Sequence, residues 1–142
     1  MNDQPGDRAV TIHARSSGTR PSALVADDCA EQRYVIRLAL ERMGFDVTEV
    51  RDGRELLAVL GLASAVPATY LLVVTDLHMP GYDGLRVLEA TAETGFHPDQ
   101  AIVTTGFSDA ATVHRAARVG AAVLEKPFRS SDLLRLIRPP SH

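Results

Sequence analysis

Five polar residues, Asp27, Asp28, Asp76, Thr105 and Lys126, lie at or within two residues of the ends of short apolar runs. If those runs are parallel strands of one sheet, their carboxyl ends meet at one edge, so these side chains converge in space. Three carboxylates, a hydroxyl and an ammonium at one edge can bind a hard cation and transfer an anionic group. The pattern therefore predicts a site for metal-assisted group transfer.

The stretch LLVVTDLHMPGYDG contains the central member of this set, Asp76. Residues 71–75 are apolar or β-branched, which predicts a strand buried on both faces of a parallel sheet. Pro80 and Gly84 interrupt regular structure, so we expect a turn and then a helix capped by Asp83. A carboxylate at the carboxyl end of such a strand is a candidate nucleophile or metal ligand, although the position also suits a plain turn residue.

Strand and helix patterns alternate along the rest of the chain. Apolar runs predict strands at 22–26, 45–50, 71–75, 101–105 and 121–124, and helical spacing predicts helices at 31–43, 52–60, 83–95, 109–119 and 131–137. Asp52 and Glu55 match a capping box for the second helix, and Ser108 is the predicted cap of the fourth. Five βα units with short connections predict an α/β fold, a doubly wound five-stranded parallel sheet with helices on both faces.

Composition limits the classes of protein to consider. The chain has 142 residues, a net charge of −3 and 45% hydrophobic residues, but no apolar run near twenty long. We therefore expect one globular domain at 22–138, a disordered N-terminal arm at 1–21 and a short tail at 139–142. Cys29, the only cysteine, cannot form an internal disulfide, and no secretory signal is recognisable, so we expect a cytoplasmic protein.

The predicted cluster needs a cation, because two carboxylates 4 Å apart repel by roughly 4 kcal/mol at an effective dielectric constant near 20. An all-oxygen site suits Mg²⁺ better than zinc, which prefers His and Cys. With Mg²⁺ and Lys126 in place, Asp76 can stay ionised and attack a phosphorus whose oxygens contact the metal, Lys126 and the Thr105 hydroxyl. The product would be an acyl phosphate on Asp76.

These motifs resemble the receiver domain of bacterial two-component response regulators, and in particular the single-domain chemotaxis type, over about residues 22–137. ALVADD resembles the first strand of that family with its acidic pair, TDLHMPGYDG its phosphoacceptor loop, VTTG its switch threonine and EKPF its Lys-Pro turn. The flavodoxin-like strand order 2-1-3-4-5 and a cis Lys126-Pro127 peptide are implied by the resemblance.

The resemblance also implies roles for residues and partners. Asp76 would accept a phosphoryl group from a sensor histidine kinase or a phosphotransfer protein, and Lys126 would contact that group. Asp27, Asp28, Asp76 and the backbone carbonyl of His78 would hold Mg²⁺. The protein would then be a signalling phosphoacceptor rather than an enzyme, and phosphorylation would alter the binding of a downstream protein.

Two features depart from the family pattern. Val123 stands three residues before the lysine, where the family commonly has a Tyr or Phe that rotates as a switch, and valine cannot perform that rotation. The segment from Gly120 to Lys126 is one residue shorter than expected. The last helix is also short, which alters the surface that usually transmits the signal.

Other interpretations fit parts of the pattern. Asp28 and Glu31 match a capping box, so Asp28 can be read as a helix cap. A phosphatase of the haloacid dehalogenase kind also uses an Asp nucleophile, but it needs a second Asp where this chain has His78. A degenerate receiver that serves only as an interaction module is the remaining alternative, to which Val123 lends weight. Negative charge and the fifteen residues after Pro127 predict no nucleic acid and no membrane among the partners.

Overall fold

Strands and helices alternate through residues 20–65 and 70–138, the part of the chain that this computed structural model describes. The elements are β1 Ser22–Ala26, α1 Ala30–Arg42, β2 Asp46–Val50, α2 Gly53–Ala65, β3 Leu71–Asp76, α3 Gly84–Glu93, β4 Gln100–Thr105, α4 Ala110–Arg118, β5 Ala121–Glu125 and α5 Ser130–Leu136. All ten predicted elements are present, with ends that move by a residue or a few. The predicted tail, and the predicted arm except residues 20 and 21, lie outside the described residues.

The five strands form one parallel sheet in the order β2-β1-β3-β4-β5. This confirms the predicted doubly wound α/β fold with order 2-1-3-4-5. The central strand β3 is buried along its whole length, because helices cover both faces of the sheet. Its first four residues, LLVV, are all apolar, as expected of a strand that meets water on neither face.

Two apolar layers hold the helices onto the sheet. On one face, strand residues such as Val73 and Val103 pack with α2, α3 and α4. On the other face, Val74 and Ile102 pack with α1 and α5. Neighbouring residues of a strand point to opposite faces, so the same short runs build both layers. The strands, and with them their carboxyl ends, are thereby packed between helices on both faces of the sheet.

The helix caps confirm some sequence predictions and correct others. Asp83 caps α3, since its carboxylate accepts a hydrogen bond from the Arg86 amide at 2.6 Å. The prediction that Ser108 caps α4 is wrong. Asp109 is the cap, accepting from the Thr112 amide at 2.8 Å, because it directly precedes the first helical residue in extended conformation. The Ser108 hydroxyl instead lies 3.3 Å from a carboxylate oxygen of Glu125.

Helix α5 has seven residues, which confirms that the last helix is short. It is nevertheless anchored, because Leu133 and the following Ile137 are buried against the sheet. Val123 lies on β5 opposite Val103 and packs, half-buried, on the other face of the sheet. None of the helices in the described ranges 20–65 and 70–138 is long and apolar enough to cross a membrane.

Candidate functional site

The parallel register brings the predicted site residues to one edge of the sheet. Ala26, which ends β1, lies opposite Thr75, and Asp76, which ends β3, lies opposite Thr104. The acidic pair that follows β1 is therefore beside Asp76. Lys126 reaches the same place from β5, because its backbone amide donates to the carbonyl oxygen of Thr105 at 2.7 Å. Of the side chains expected to converge at this edge, those of Asp27, Asp28, Asp76 and Lys126 lie together in the structure.

Three carboxylates form the core of the site. One oxygen from each of Asp27, Asp28 and Asp76 lies within 4.8 Å of the other two. Asp27 is fully buried, Asp76 is 6% exposed and Asp28 faces solvent. The cluster thus has two buried carboxylates and one exposed carboxylate, and the exposed one leaves one side of the cluster open to solvent.

Lys126 supplies the counter-charge within the chain. Its Nζ donates to Asp76 Oδ2 at 3.1 Å and lies 3.7 Å from Asp27 Oδ2. Burial works to lower the pKa of Lys126, but the hydrogen bond to Asp76 and the neighbouring carboxylates outweigh it, so the pKa is raised. The side chain is therefore a fixed cation at the site. One ammonium faces three carboxylates, so the cluster keeps an excess of negative charge.

The two oxygens of Asp27 have different surroundings. Oδ1 accepts a hydrogen bond from the Cys29 amide at 2.9 Å, whereas Oδ2 is buried and has no hydrogen-bond partner among the described residues. Burial raises the pKa of Asp27, and the Cys29 amide and Lys126 only partly offset this, since the charges of Asp76 and Asp28 act in the same direction as burial. An ionised Asp27 is therefore costly unless a further cation approaches Oδ2.

Asp76 is held by the loop that follows it. Its Oδ1 accepts from the His78 amide at 3.3 Å, and its backbone carbonyl accepts from the Thr75 hydroxyl at 3.0 Å. Gly84 packs so closely under this loop that a Cβ atom there would overlap the Thr75 hydroxyl and the Asp76 carbonyl. The glycine therefore serves close packing as well as the turn. The role of the His78 carbonyl as a metal ligand stays a prediction.

Thr105 ends β4 at the predicted place, but its hydroxyl engages its own loop. The hydroxyl donates to the Phe107 carbonyl at 3.1 Å and lies 3.3 Å from the Phe107 amide. Phe107 itself is 70% exposed on the loop before α4. The Thr105 hydroxyl is thus committed to the loop rather than to the carboxylates.

The reading of Asp28 as a helix cap is wrong. Cys29 occupies the capping position of α1 and makes no side-chain cap, because the helix begins one residue later than a cap at Asp28 would require. The Asp28 carboxylate is thereby left to the acidic cluster. The Lys126-Pro127 peptide is cis, as the resemblance implied.

Sequence reasoning missed Arg33, whose guanidinium Nη1 donates to the Asp27 carbonyl at 2.8 Å and whose Nε donates to Glu49 at 3.0 Å. The signal available was the spacing of Arg33 and Arg37 one helical turn apart, opposite an acid on β2.

A second signal was also missed. Lys126 is the only lysine of the sequence, and the rest of its 15 Lys and Arg side chains are arginines. Lysine places a compact charge between two carboxylates, which a planar guanidinium cannot match.

A buried-strand aspartate with an acidic pair on one side and a lysine on the other agrees with the class of protein that the sequence resembles, the receiver domains of two-component signalling. The chain belongs to this family, because the family model for the response regulator receiver domain matches residues 23–138. The flavodoxin-like sheet order agrees with it. The haloacid dehalogenase alternative is not favoured.

Similar proteins include both regulators of transcription and a chemotaxis protein. The chain is 34% identical to the transcriptional regulatory protein FixJ of Azorhizobium caulinodans over 115 residues, which cover 80% of this chain and 52% of that protein. It is also 34% identical to the probable chemotaxis protein CheY of Rhizobium etli over 108 residues, 74% of this chain and 80% of that one. The chain thus spans about half the length of the FixJ protein.

A solved structure has the same fold. The chemotaxis protein CheY4 of Vibrio cholerae superposes with a TM-score of 0.68 at 25% identity, covering 82% of this chain and 95% of that one. The superposition covers most of this chain and nearly all of that protein, so the two share the fold that carries the site.

Proposed function

We propose that Asp76 is the phosphoacceptor of this receiver, with residues 22–138 as the working unit. The observation that supports this most is the placement of Lys126, whose ammonium lies 3.1 Å from the Asp76 carboxylate while two further acids lie beside it. A lone surface aspartate would not require such a counter-charge. A nucleophile that must stay ionised next to like charges does require it.

We further propose that the acidic cluster binds Mg²⁺ through the carboxylates of Asp27, Asp28 and Asp76 and the carbonyl oxygen of His78. The donor set fits, because all the ligands are oxygens and the buried Asp27 Oδ2 has no hydrogen-bond partner among the described residues. A bound Mg²⁺ would supply positive charge that offsets the repulsion between the phosphoryl oxygens and the carboxylates and the free-energy cost of burying ionised Asp27.

The residues of the chain have distinct parts in the reaction. A carboxylate oxygen of Asp76 forms the new bond to phosphorus, while the bond from phosphorus to the donor breaks and its electron pair leaves with the donor. Lys126 moves with the transferred charge, exchanging part of its contact with Asp76 for a phosphoryl oxygen. Because Lys126 is held 3.1 Å from the Asp76 carboxylate, the acyl phosphate forms close to a fixed cationic donor.

In this proposal the donor is a sensor histidine kinase or a phosphotransfer protein, and the reaction takes place in the cytoplasm. The output is a changed affinity for a downstream protein. When the Thr105 hydroxyl turns to a phosphoryl oxygen, it gives up its two contacts with Phe107. The loop before α4 is then free to adopt another position, which shifts a population rather than the fold.

Intact-mass spectrometry with acetyl phosphate as donor tests the assignment. The parent should gain one phosphoryl group only when Mg²⁺ is present, and Asp76→Asn should gain none. Glu93→Gln is a matched control, because it removes an exposed acid from α3, away from the strand ends, and should be modified like the parent. Equal modification of Asp76→Asn, or an unchanged yield in EDTA, would contradict the proposal.

The degenerate interaction module is the second candidate, and Val123 is the observation that favours it. It predicts that partner binding does not depend on phosphorylation. A pull-down with and without beryllofluoride separates the two candidates, since only the phosphoacceptor changes its binding. Amide exchange at residues 105–109 provides a readout that needs no partner.

A further inference from the structure

The guanidinium group of Arg33 joins the first helix to the ends of two strands. Its Nη1 donates to the carbonyl oxygen of Asp27 at 2.8 Å, and its Nε donates to Oε1 of Glu49 on β2 at 3.0 Å. The Arg33 side chain is only 13% exposed. Such a cation loses most of its hydration on folding, so it remains stable only while both acceptors stay in place.

Glu49 is itself held from two sides. Its Oε2 forms an ion pair with Nε of Arg37, one helical turn beyond Arg33, at 2.7 Å. The carboxylate is thus clamped between two guanidinium groups of α1. Arg33 therefore meets the Asp27 carbonyl from a position that its own packing restrains, rather than from a freely rotating side chain.

The acceptor at Asp27 belongs to the peptide unit that links the two acids of the site. A peptide unit is planar, so fixing the direction of the Asp27 carbonyl also fixes the amide and Cα of Asp28. Asp28 is exposed, and neighbouring side chains therefore restrain it less than they restrain buried Asp27. The contact from Arg33 therefore restrains the peptide unit from which the backbone of Asp28 continues.

We propose that Arg33 is a positioning residue for the cation site. Through the Asp27 carbonyl, and supported by Glu49, it holds the two neighbouring acids in the relative orientation that binds a divalent cation. Arg33 does not contact the cation in this arrangement. The inference rests on the proposed Mg²⁺ function, which it deepens by adding a residue behind the ligands.

The sign of the effect distinguishes positioning from charge. A positive side chain near a cation site repels the cation, so if Arg33 acted only through its charge, removing it would tighten Mg²⁺ binding. Positioning predicts the reverse, because a misplaced Asp28 costs the site a ligand. Arg37 is the matched control. It has the same charge and forms an ion pair with the same Glu49, but it forms no hydrogen bond or ion pair with Asp27 among the described residues.

The experiment is a Mg²⁺ titration of the full chain monitored by NMR. It is carried out at a temperature where circular dichroism shows that every variant is folded. Arg33→Gln should weaken Mg²⁺ binding by about tenfold, the lower end for loss of a residue behind metal ligands. Arg37→Gln should stay close to the parent or bind slightly more tightly. Arg33→Lys should recover only part of the affinity, because an ammonium lacks the fork that reaches both acceptors.

A metal-free measurement makes the test independent of the proposed function. In EDTA, the Cys29 amide, which donates to Asp27 Oδ1, should exchange faster in Arg33→Gln than in Arg37→Gln. Mg²⁺ binding by Arg33→Gln that equals or exceeds that of Arg37→Gln overturns the inference. If the parent binds no Mg²⁺, the proposed function fails, and equal Cys29 exchange in the two variants then overturns the positioning role as well.

Discussion

Replacing Lys126 with methionine removes the counter-charge of the site while keeping most of the side-chain length. At 3.1 Å from Asp76 and 3.7 Å from Asp27, the ammonium gains roughly 5 kcal/mol from each carboxylate at an effective dielectric constant near 20, before the cost of desolvation is subtracted. Breaking a buried ion pair costs about 3–5 kcal/mol and an exposed pair at most about 1. Lys126 is 27% exposed, so we expect Lys126→Met to lose about 2 kcal/mol of stability in EDTA.

Mg²⁺ should stabilise Lys126→Met more than it stabilises the parent. Without Lys126 the three carboxylates attract a divalent cation more strongly, and we expect the Mg²⁺ dissociation constant to fall by about tenfold, or 1.4 kcal/mol. Adding Mg²⁺ at a fixed concentration should therefore raise the melting temperature of Lys126→Met more than that of the parent. Phosphorylation by acetyl phosphate should nevertheless be slower, because the transferred charge has lost a fixed donor.

Thermal melts in EDTA and in a Mg²⁺ series, read by circular dichroism, measure both effects. Arg135→Met is the control, because it removes a cation from the surface. The Arg135 side chain is 75% exposed in its ion pair with Asp132, so its loss should change neither stability nor Mg²⁺ binding appreciably. If Lys126→Met is as stable as the parent in EDTA and binds Mg²⁺ equally, the ammonium does not balance the acidic cluster. The reasoning about the site would then be wrong.

Two further predictions concern individual carboxylates. In EDTA at neutral pH, Asp27→Asn should be more stable than the parent by about 1–2 kcal/mol, because it removes a fully buried charge whose Oδ2 has no hydrogen-bond partner among the described residues. The melting temperature of this variant should not respond to Mg²⁺. A variant that is less stable than the parent in denaturant titrations would contradict the prediction. Glu89 pairs with Arg115 through two hydrogen bonds of 2.9 Å, and these bonds hold the pKa of Glu89 below its ordinary value of 4.5. Its stabilising effect is therefore present above pH 4.5 and is lost as the pH falls through the lower folded-state pKa. Glu89→Gln should be slightly less stable than the parent at pH 7, with a difference that disappears in acid, and a pH-independent difference would show that the loss is not electrostatic.

The elements and their order along the chain were predictable because their signals are local. A buried parallel strand needs an unbroken apolar run, a helix needs apolar residues at 3.6-residue spacing, and Asp83 caps α3 through its own neighbouring amides. The membership of the site followed from one general rule, that parallel strands end at one edge. Asp27, Asp28, Asp76 and Lys126 meet as that rule requires.

The cap of α4 shows where local signals become ambiguous. Ser108 and Asp109 are both good capping residues, and only the backbone conformation of the loop decides which one precedes the first helical residue. The Thr105 hydroxyl is similar, since its bonds to Phe107 depend on how that loop folds back. Sequence patterns specify which residues are available at such positions but not the path of the chain between them.

By itself, the sequence determined the α/β class, the five strand ends and the set of residues that the edge of the sheet collects. Only the tertiary structure decided that Asp27 is buried while Asp28 faces water. It also decided that Lys126 contacts the buried carboxylates of Asp27 and Asp76, and that Arg33 donates to the carbonyl of the peptide between Asp27 and Asp28. The physical reason is that burial and side-chain contact depend on register, sheet twist and the packing of helices from distant parts of the chain. Residue type and periodicity report the faces of each element, whereas distances between elements exist only once the sheet has formed.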